Sequence, residues 1–130
     1  MKLLATDMDG TFLRDDKSYS EEFNDLYKQM LKQGIQFVIA SGNQYEALVC
    51  KFDDDIKDDL YYLCENGPKI VYRGDVIYKH CLETDDYQHA LNILKEDEEC
   101  MLVVSGVKHA YILKKFEDRK DFITLFIKNI

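Results

Sequence analysis

The sequence contains no long apolar run, because charged residues interrupt every longer apolar stretch. Its opening, residues 1–5, is far too short to form the apolar region of a secretory signal. We therefore expect a cytoplasmic protein without a membrane segment. Proline is also scarce, with a single residue, and 46% of the 130 residues are hydrophobic. This composition is that of a globular chain long enough to bury a core of its own.

Positive charge and paired cysteines are in short supply as well. Lysine and arginine total 17 against 25 aspartates and glutamates, which leaves a net charge of -8. Nucleic acids and anionic membranes are bound through clustered lysine and arginine, so we expect neither as a partner. None of the four cysteines belongs to a C-x-x-C pair. Their spacing argues against a zinc or redox motif and predicts free thiols in a reducing compartment.

The most informative stretch is the first fifteen residues. The short apolar run Leu3–Ala5 predicts a buried strand, and Asp7, Asp9, Gly10 and Thr11 follow at its carboxyl end. Ligands of open α/β sheets bind beyond the carboxyl ends of the strands. Two carboxylates there predict a site for a hard cation and a phosphoryl group, although ordinary turns also use aspartate and glycine. A divalent cation would offset the repulsion between an acidic site and phosphate.

The next segment predicts a strand–helix–strand unit with parallel strands. Ser18 and Glu21 have capping-box spacing, and apolar residues recur with helical periodicity over 23–31 before Gly34 ends the helix. Ile35–Ala40 is the second strand. It delivers Ser41, Gly42 and Asn43 to the sheet edge where Asp7 ends the first strand.

A second helix is predicted from Tyr45 to Phe52, so residues 41–43 precede a helix N-terminus, which favours an anion. The alternative is that Ser41 or Asn43 is simply the N-cap residue of this helix. The acidic run 53–59 lacks the central glycine and closing glutamate of an EF-hand and predicts a solvated loop.

The alternation of strands and helices then breaks. Leu60–Cys64 predicts a third strand, and Asn66-Gly67 predicts a tight turn. A β-hairpin follows, with strands over 70–73 and 76–79 joined by Gly74-Asp75.

From residue 83 onward the pattern is that of a separate α+β unit. A helix capped by Thr84 precedes strands over 100–104 and 110–113, and another helix is predicted around residues 122–127. We therefore predict a partial Rossmann-like α/β core over residues 1–82, which contains a parallel sheet and, near its end, a β-hairpin. An incomplete α+β unit is predicted over residues 83–130.

The residues Asp7–Thr11 resemble the first motif, Asp-x-Asp-Gly-Thr, of the haloacid dehalogenase-like hydrolases. Ser41–Tyr45 and Glu65–Gly67 are similar to the Cof-type branch of that superfamily, which includes sugar-phosphate phosphatases. The resemblance implies that residues 83–130 begin an inserted α+β cap domain. It also implies a Mg²⁺-dependent phosphatase that acts on small phosphorylated metabolites, such as sugar phosphates, through an aspartyl-phosphate.

The resemblance assigns roles to individual residues. Asp7 would be the nucleophile and Asp9 the general acid and base, and both would hold Mg²⁺, Asp9 through its backbone carbonyl. Ser41 and Gly42 would bind the phosphoryl oxygens. The phosphate-binding loop would also include Thr11. The substrate-binding residue would be Asn43, through a sugar hydroxyl, although a capping role for Asn43 competes.

The same resemblance implies a later lysine and further aspartates, for which this sequence has no matching segment. We therefore expect an N-terminal portion with weak metal affinity and little turnover alone. Two other functions stay open. One is a non-catalytic binding module that forms a homodimer through its unfinished sheet or cap. The other is a signalling receiver domain, disfavoured because the aspartate motif lies on the first strand.

Overall fold

A computed structural model describes residues 2–106 and 109–119. The chain divides into two compact units, Met1–Lys79 and His80–Ile130. The first contains most of the buried apolar side chains and all of the predicted site residues.

The first unit is one five-stranded sheet with two helices. Its elements are β1 (Lys2–Asp7), α1 (Phe23–Lys32), β2 (Ile35–Ala40), α2 (Tyr45–Val49), β3 (Tyr61–Cys64), β4 (Lys69–Tyr72) and β5 (Asp75–Lys79). The strand order is β1-β2-β3-β4-β5, in which the first three strands are parallel and the last two antiparallel. The predicted α/β class, with a parallel sheet interrupted by a hairpin, is confirmed.

Helix α1 starts later than the capping-box spacing predicts. Its first residue is Phe23, its N-cap residue is Glu22, and no side chain caps it. The predicted cap, Ser18, instead donates from its backbone N–H and its hydroxyl to Oδ1 of Asp16 (2.9 and 2.6 Å). These bonds lower the pKa of the Asp16 carboxyl. The predicted helix end is confirmed, since Gly34 has φ +72° and donates to a carbonyl of the last turn.

A cluster of aromatic rings fills the core between the helices and the sheet. The ring of Phe12, in the loop after β1, lies 4.7 Å from that of Phe23 on α1 and 5.7 Å from that of Phe37 on β2. The ring of Phe52 lies 6.0 Å from that of Phe12. Because Phe12 follows the aspartate motif directly, the core anchors that loop.

Strand β1 is not buried as its apolar sequence predicts. Leu3 and Leu4 are 62% and 45% exposed. The reason lies in the sheet topology, which a local pattern cannot contain. Among the described residues β1 pairs only with β2 and therefore forms an edge, so its side chains have a neighbouring strand on one side only.

The acidic run 53–59 packs against the core of the first unit, although its carboxylates remain close to solvent. Ile56 and Leu60 are fully buried. The carboxylate of Asp53 accepts a hydrogen bond from the Asn24 side chain (2.6 Å), and Asp55 pairs with a lysine of α1 (2.5 Å). The loop is thus acidic and solvated at its carboxylates, as predicted. Its apolar residues Ile56 and Leu60 pack into the core and fix its position.

The β4–β5 hairpin is displaced by one residue from its predicted position. Its turn residues are Arg73 (φ 53°) and Gly74 (φ 79°), not Gly74 and Asp75. Two left-handed central residues match the twist of the flanking strands, so this turn is favoured over the predicted one. A bulge between Ile70 and Val71 adjusts the register.

The second unit contains α3 (Thr84–Leu94), the antiparallel strands β6 (Val103–Ser105) and β7 (Ala110–Ile112), and a 3₁₀ helix at Lys114–Arg119. Thr84 is the first residue of α3 and does not cap it, since the N-cap residue is Glu83. Both strands are shorter than predicted. The predicted helix at 122–127 lies outside the described residues, and the assignment of 83–130 to a cap domain stays a prediction.

The helices seen in residues 2–106 and 109–119 are all too short or too polar to cross a membrane.

The packing of β3 yields a first test. Burial raises the pKa of the Cys64 thiol to about 12, whereas Cys50 is exposed. We expect Cys64 to react with iodoacetamide at pH 8 more than about 100-fold slower than Cys50, because the thiolate is the reactive form. Mass spectrometry of the labelled peptides measures both rates, and labelling in urea is the control, where the rates converge. Equal rates in the folded protein would contradict the burial of β3.

Candidate active site

The parallel strands bring three chain segments to one edge of the sheet. Asp7, the last residue of β1, is level with Ala40 at the end of β2, and Ala40 is level with Leu63 on β3. The residues that follow β2 and β3 therefore lie beside Asp7. They form an open pocket of about 280 Å³, lined by Asp7, Ala40, Ser41, Gly42, Leu63, Asn66 and Gly67.

The loop after β1 presents its carboxylates by folding around a buried residue. Met8 is fully buried, and its carbonyl accepts hydrogen bonds from the N–H groups of Thr11–Leu13 (2.9 to 3.4 Å). Gly10 has φ +75°, a conformation that glycine adopts without strain. Met8 thus points into the core while Asp7 and Asp9, on either side of it, remain exposed.

A lysine that the sequence analysis missed contacts the second carboxylate. Lys17 Nζ lies 2.8 Å from Asp9 Oδ1, and this contact raises the pKa of Lys17. Lys17 sits in a left-handed conformation (φ 65°) in a turn in which its N–H donates to the carbonyl of Arg14 (2.9 Å). The two residues are eight positions apart in sequence, and no motif marks Lys17, so only the turn geometry reveals the contact.

The loop after β2 is fixed by its own hydrogen bonds. The N–H of Ser41 donates to the carbonyl of Leu63 (3.0 Å), and the N–H of Asn43 donates to Ser41 Oγ (3.2 Å). The N-cap residue of α2 is Gln44, so the alternative that Ser41 or Asn43 caps this helix is wrong. Helix α2 ends at Val49, short of the predicted Phe52, and so short a helix adds little dipole at the site.

The turn after β3 is bonded to the loop after β2. The N–H of Asn66 donates to the carbonyl of Ser41 (3.2 Å), and that of Glu65 donates to the carbonyl of Asn43 (3.1 Å). A Cβ atom on Gly42 would lie 3.0 Å from Oδ1 of Asn66, so the two residues are in close contact. The sequence marks Asn66-Gly67 as a turn and as part of a Cof-type motif but assigns it no role in the site, although both residues line the pocket.

The predicted site residues thus fall into two groups. The structure brings Asp7, Ser41 and Gly42 together as lining of one pocket. Asp9 and Thr11 lie in the adjoining loop, exposed, and Asn43 is half-buried outside the lining set.

The chain belongs to the haloacid dehalogenase-like hydrolase family, whose model matches residues 4–129. The predicted resemblance is thereby confirmed. Among curated proteins it is similar to the 5-amino-6-(5-phospho-D-ribitylamino)uracil phosphatase YbjI of Escherichia coli (strain K12). The two are 40% identical over 119 residues, which is 91% of this chain and 44% of the relative.

Solved structures share this fold. SMU.1108c from Streptococcus mutans UA159 is 29% identical with a TM-score of 0.84, over 95% of this chain and 47% of that one. BT1666 from Bacteroides thetaiotaomicron, a phosphatase of the haloalkanoate enzyme superfamily, is 23% identical with a TM-score of 0.72, over 96% of this chain and 47% of that one. The chain therefore spans somewhat less than half the length of these proteins.

Alanine at position 42 tests the contact between the two loops. The new methyl group would meet the far end of a flexible side chain, Asn66, which can rotate away. We expect Gly42→Ala to lower the free energy of unfolding by less than about 1 kcal/mol. The matched control is Gly106→Ala, whose Cβ would lie 2.9 Å from the backbone carbonyl of His109. This variant should cost about 1 to 3 kcal/mol. Urea unfolding measures both, and an equal cost would contradict the geometry.

Proposed function

We propose that the chain carries the nucleophile side of the active site of a phosphatase that hydrolyses small phosphate monoesters. The observation that supports this most directly is the shared pocket of Asp7, Ser41 and Gly42 at the carboxyl ends of β1 and β2. It places a carboxylate beside a hydroxyl and a backbone N–H that can bind oxyanions. Membership of a hydrolase family and similarity to a curated phosphatase support the same conclusion.

The proposed reaction has two steps. A carboxylate oxygen of Asp7 forms a bond to phosphorus, the ester P–O bond breaks, and Asp9 gives its proton to the leaving oxygen. Asp9 then takes a proton from water, whose oxygen attacks phosphorus and releases phosphate and the Asp7 carboxylate. Ser41 and Gly42 bind the phosphoryl oxygens as charge builds on them. Thr11 supports the loop that carries both aspartates.

Mg²⁺ is the proposed cofactor. The exposed carboxylate of Asp7 and the backbone carbonyl of Asp9 are oxygen donors, which this cation prefers, and water and substrate oxygens complete its usual shell. When bound, the cation would neutralise charge on the phosphoryl group. The described residues contain no group of three or more His, Cys, Asp or Glu that could hold a metal. With so few protein ligands we expect weak affinity.

Phosphorylated sugars and sugar alcohols are the proposed substrate class. The curated relative is named for a phosphorylated ribityl compound, which is a phosphate monoester of a polyol chain. The acidic charge balance and free thiols further support a cytoplasmic enzyme of metabolites with no role in nucleic-acid or membrane binding. Asn43 is retained in this proposal as a residue near the substrate.

The test replaces the nucleophile. With Mg²⁺ present, we expect slow hydrolysis of an aryl phosphate by the chain, and NMR shifts at Asp7, Ser41 and Gly42 on addition of inorganic phosphate. Asp7→Asn should reduce the hydrolysis at least about 1,000-fold, because no acyl phosphate can form. Asp15→Asn, which removes the same charge from an exposed position nearby, is the control. Hydrolysis that survives Asp7→Asn, or a wild type without phosphate-induced shifts, would contradict the proposal.

The exposed edge of β1 supports a second candidate, a module that self-associates. Unpaired strand edges template pairing with another chain, and Leu3 and Leu4 expose apolar surface there. In this case sedimentation at about 100 µM should show a dimer that Leu4→Lys converts to a monomer. Val76→Lys, on the opposite edge strand β5, is the matched control and should stay dimeric. A monomeric wild type would exclude this candidate.

A further inference from the structure

The turn at residues 65–67 joins β3 to β4, and the N–H of Gly67 donates to the carbonyl of Cys64 (2.9 Å). Three consecutive residues have positive φ, namely Glu65 (59°), Asn66 (65°) and Gly67 (112°). Only glycine adopts such angles freely, and the left-handed conformation costs other residues of order 1 kcal/mol. Glu65 also has a carboxylate oxygen, Oε1, that is buried and has no hydrogen-bond partner among the described residues. Left-handed residues are usual in hairpin turns, so the buried carboxylate oxygen of Glu65 is the feature that the hairpin does not explain.

The effect of this conformation is to place one side chain against the proposed phosphoryl-binding loop. Backbone bonds fix Asn66 to Ser41, as described above, and the Asn66 carboxamide rests on the bare backbone of Gly42. Asn66 is exposed and lines the pocket that contains Asp7. None of the side-chain hydrogen bonds formed within residues 2–106 and 109–119 involves this carboxamide. Its donor and acceptor groups are therefore not used in side-chain hydrogen bonds within this part of the chain, at a residue that lines the pocket.

The chemistry of the carboxamide indicates which part of a substrate it would meet. A phosphoryl group offers only acceptor oxygens, for which Ser41 and Gly42 already provide donors. A sugar or polyol hydroxyl both donates and accepts, as a carboxamide does. Asn66 is also neutral, so it adds no attraction for the phosphate dianion.

We propose that Asn66 is a substrate-binding residue whose carboxamide hydrogen-bonds a hydroxyl of the leaving group. This inference rests on the proposed function and adds a specificity residue to it. Asn66 lines the pocket whereas Asn43, the residue the sequence analysis selected for this role, lies outside the lining set.

The test separates the leaving group from the phosphoryl group by using two probes. Inorganic phosphate and ribose 5-phosphate are titrated, with Mg²⁺ present, into the wild type and Asn66→Gly, and binding is followed by NMR. Glycine keeps the left-handed backbone, so the turn is preserved. We expect the affinity for ribose 5-phosphate to fall about 5- to 10-fold, the size of a lost neutral hydrogen bond, with the affinity for phosphate changed less than twofold.

Two further variants sharpen the result. Asn66→Asp keeps the shape and the tolerance of left-handed φ but adds a negative charge, so it should weaken both probes. Asn92→Ala, an exposed asparagine on α3, should weaken neither. Thermal unfolding of each variant checks that the fold is retained.

The other possible outcomes contradict either this inference or the proposed function. Asn66→Gly with unchanged affinity for both probes overturns the inference, and so does an equal loss for both, since Asn66 would then act on the phosphoryl loop alone. A wild type that binds neither probe contradicts the proposed function itself. The two failures are therefore distinguishable.

Discussion

The site depends above all on the parallel register of β1, β2 and β3. Asp7 is level with Ala40, and Ala40 with Leu63, so three chain segments leave the sheet at one height. A slip of one residue would turn Asp7 to the other face of the sheet and remove the pocket. The bond from the Ser41 N–H to the Leu63 carbonyl extends the ladder beyond the strands and fixes the loop that faces Asp7.

Much of the first unit follows from local sequence patterns. The strand Ile35–Ala40 has the predicted bounds, Gly34 ends α1 as predicted, and Asp7 meets Ser41 because neighbouring parallel strands end at one edge. These features need only hydrophobic periodicity, a glycine that adopts positive φ, and the rule that ligands bind at the carboxyl ends of strands. Local interactions determine these features, so they can be predicted from one sequence alone.

The wrong predictions concern features that depend on distant or competing contacts. Ser18 does not cap α1, because the helix begins later and the Ser18 hydroxyl donates to the nearby carboxylate of Asp16. Leu3 is exposed because the burial of a strand depends on its neighbours in the assembled sheet. The ion pair between Lys17 and Asp9 requires a left-handed turn that no pattern specifies. Spacing alone cannot rank such alternatives, because each depends on the assembled fold.

The aromatic anchoring of the loop after β1 has a consequence for motion. Phe12 is embedded among rings from α1, β2 and the segment after α2, so the loop with Asp7 and Asp9 cannot open without disrupting the core. Opening that loop would expose part of the aromatic core, so the hydrogen-bonded amide protons of Thr11–Leu13 should exchange more slowly than those of exposed turns. The loop is therefore preorganised, and ligand binding requires little rearrangement of it.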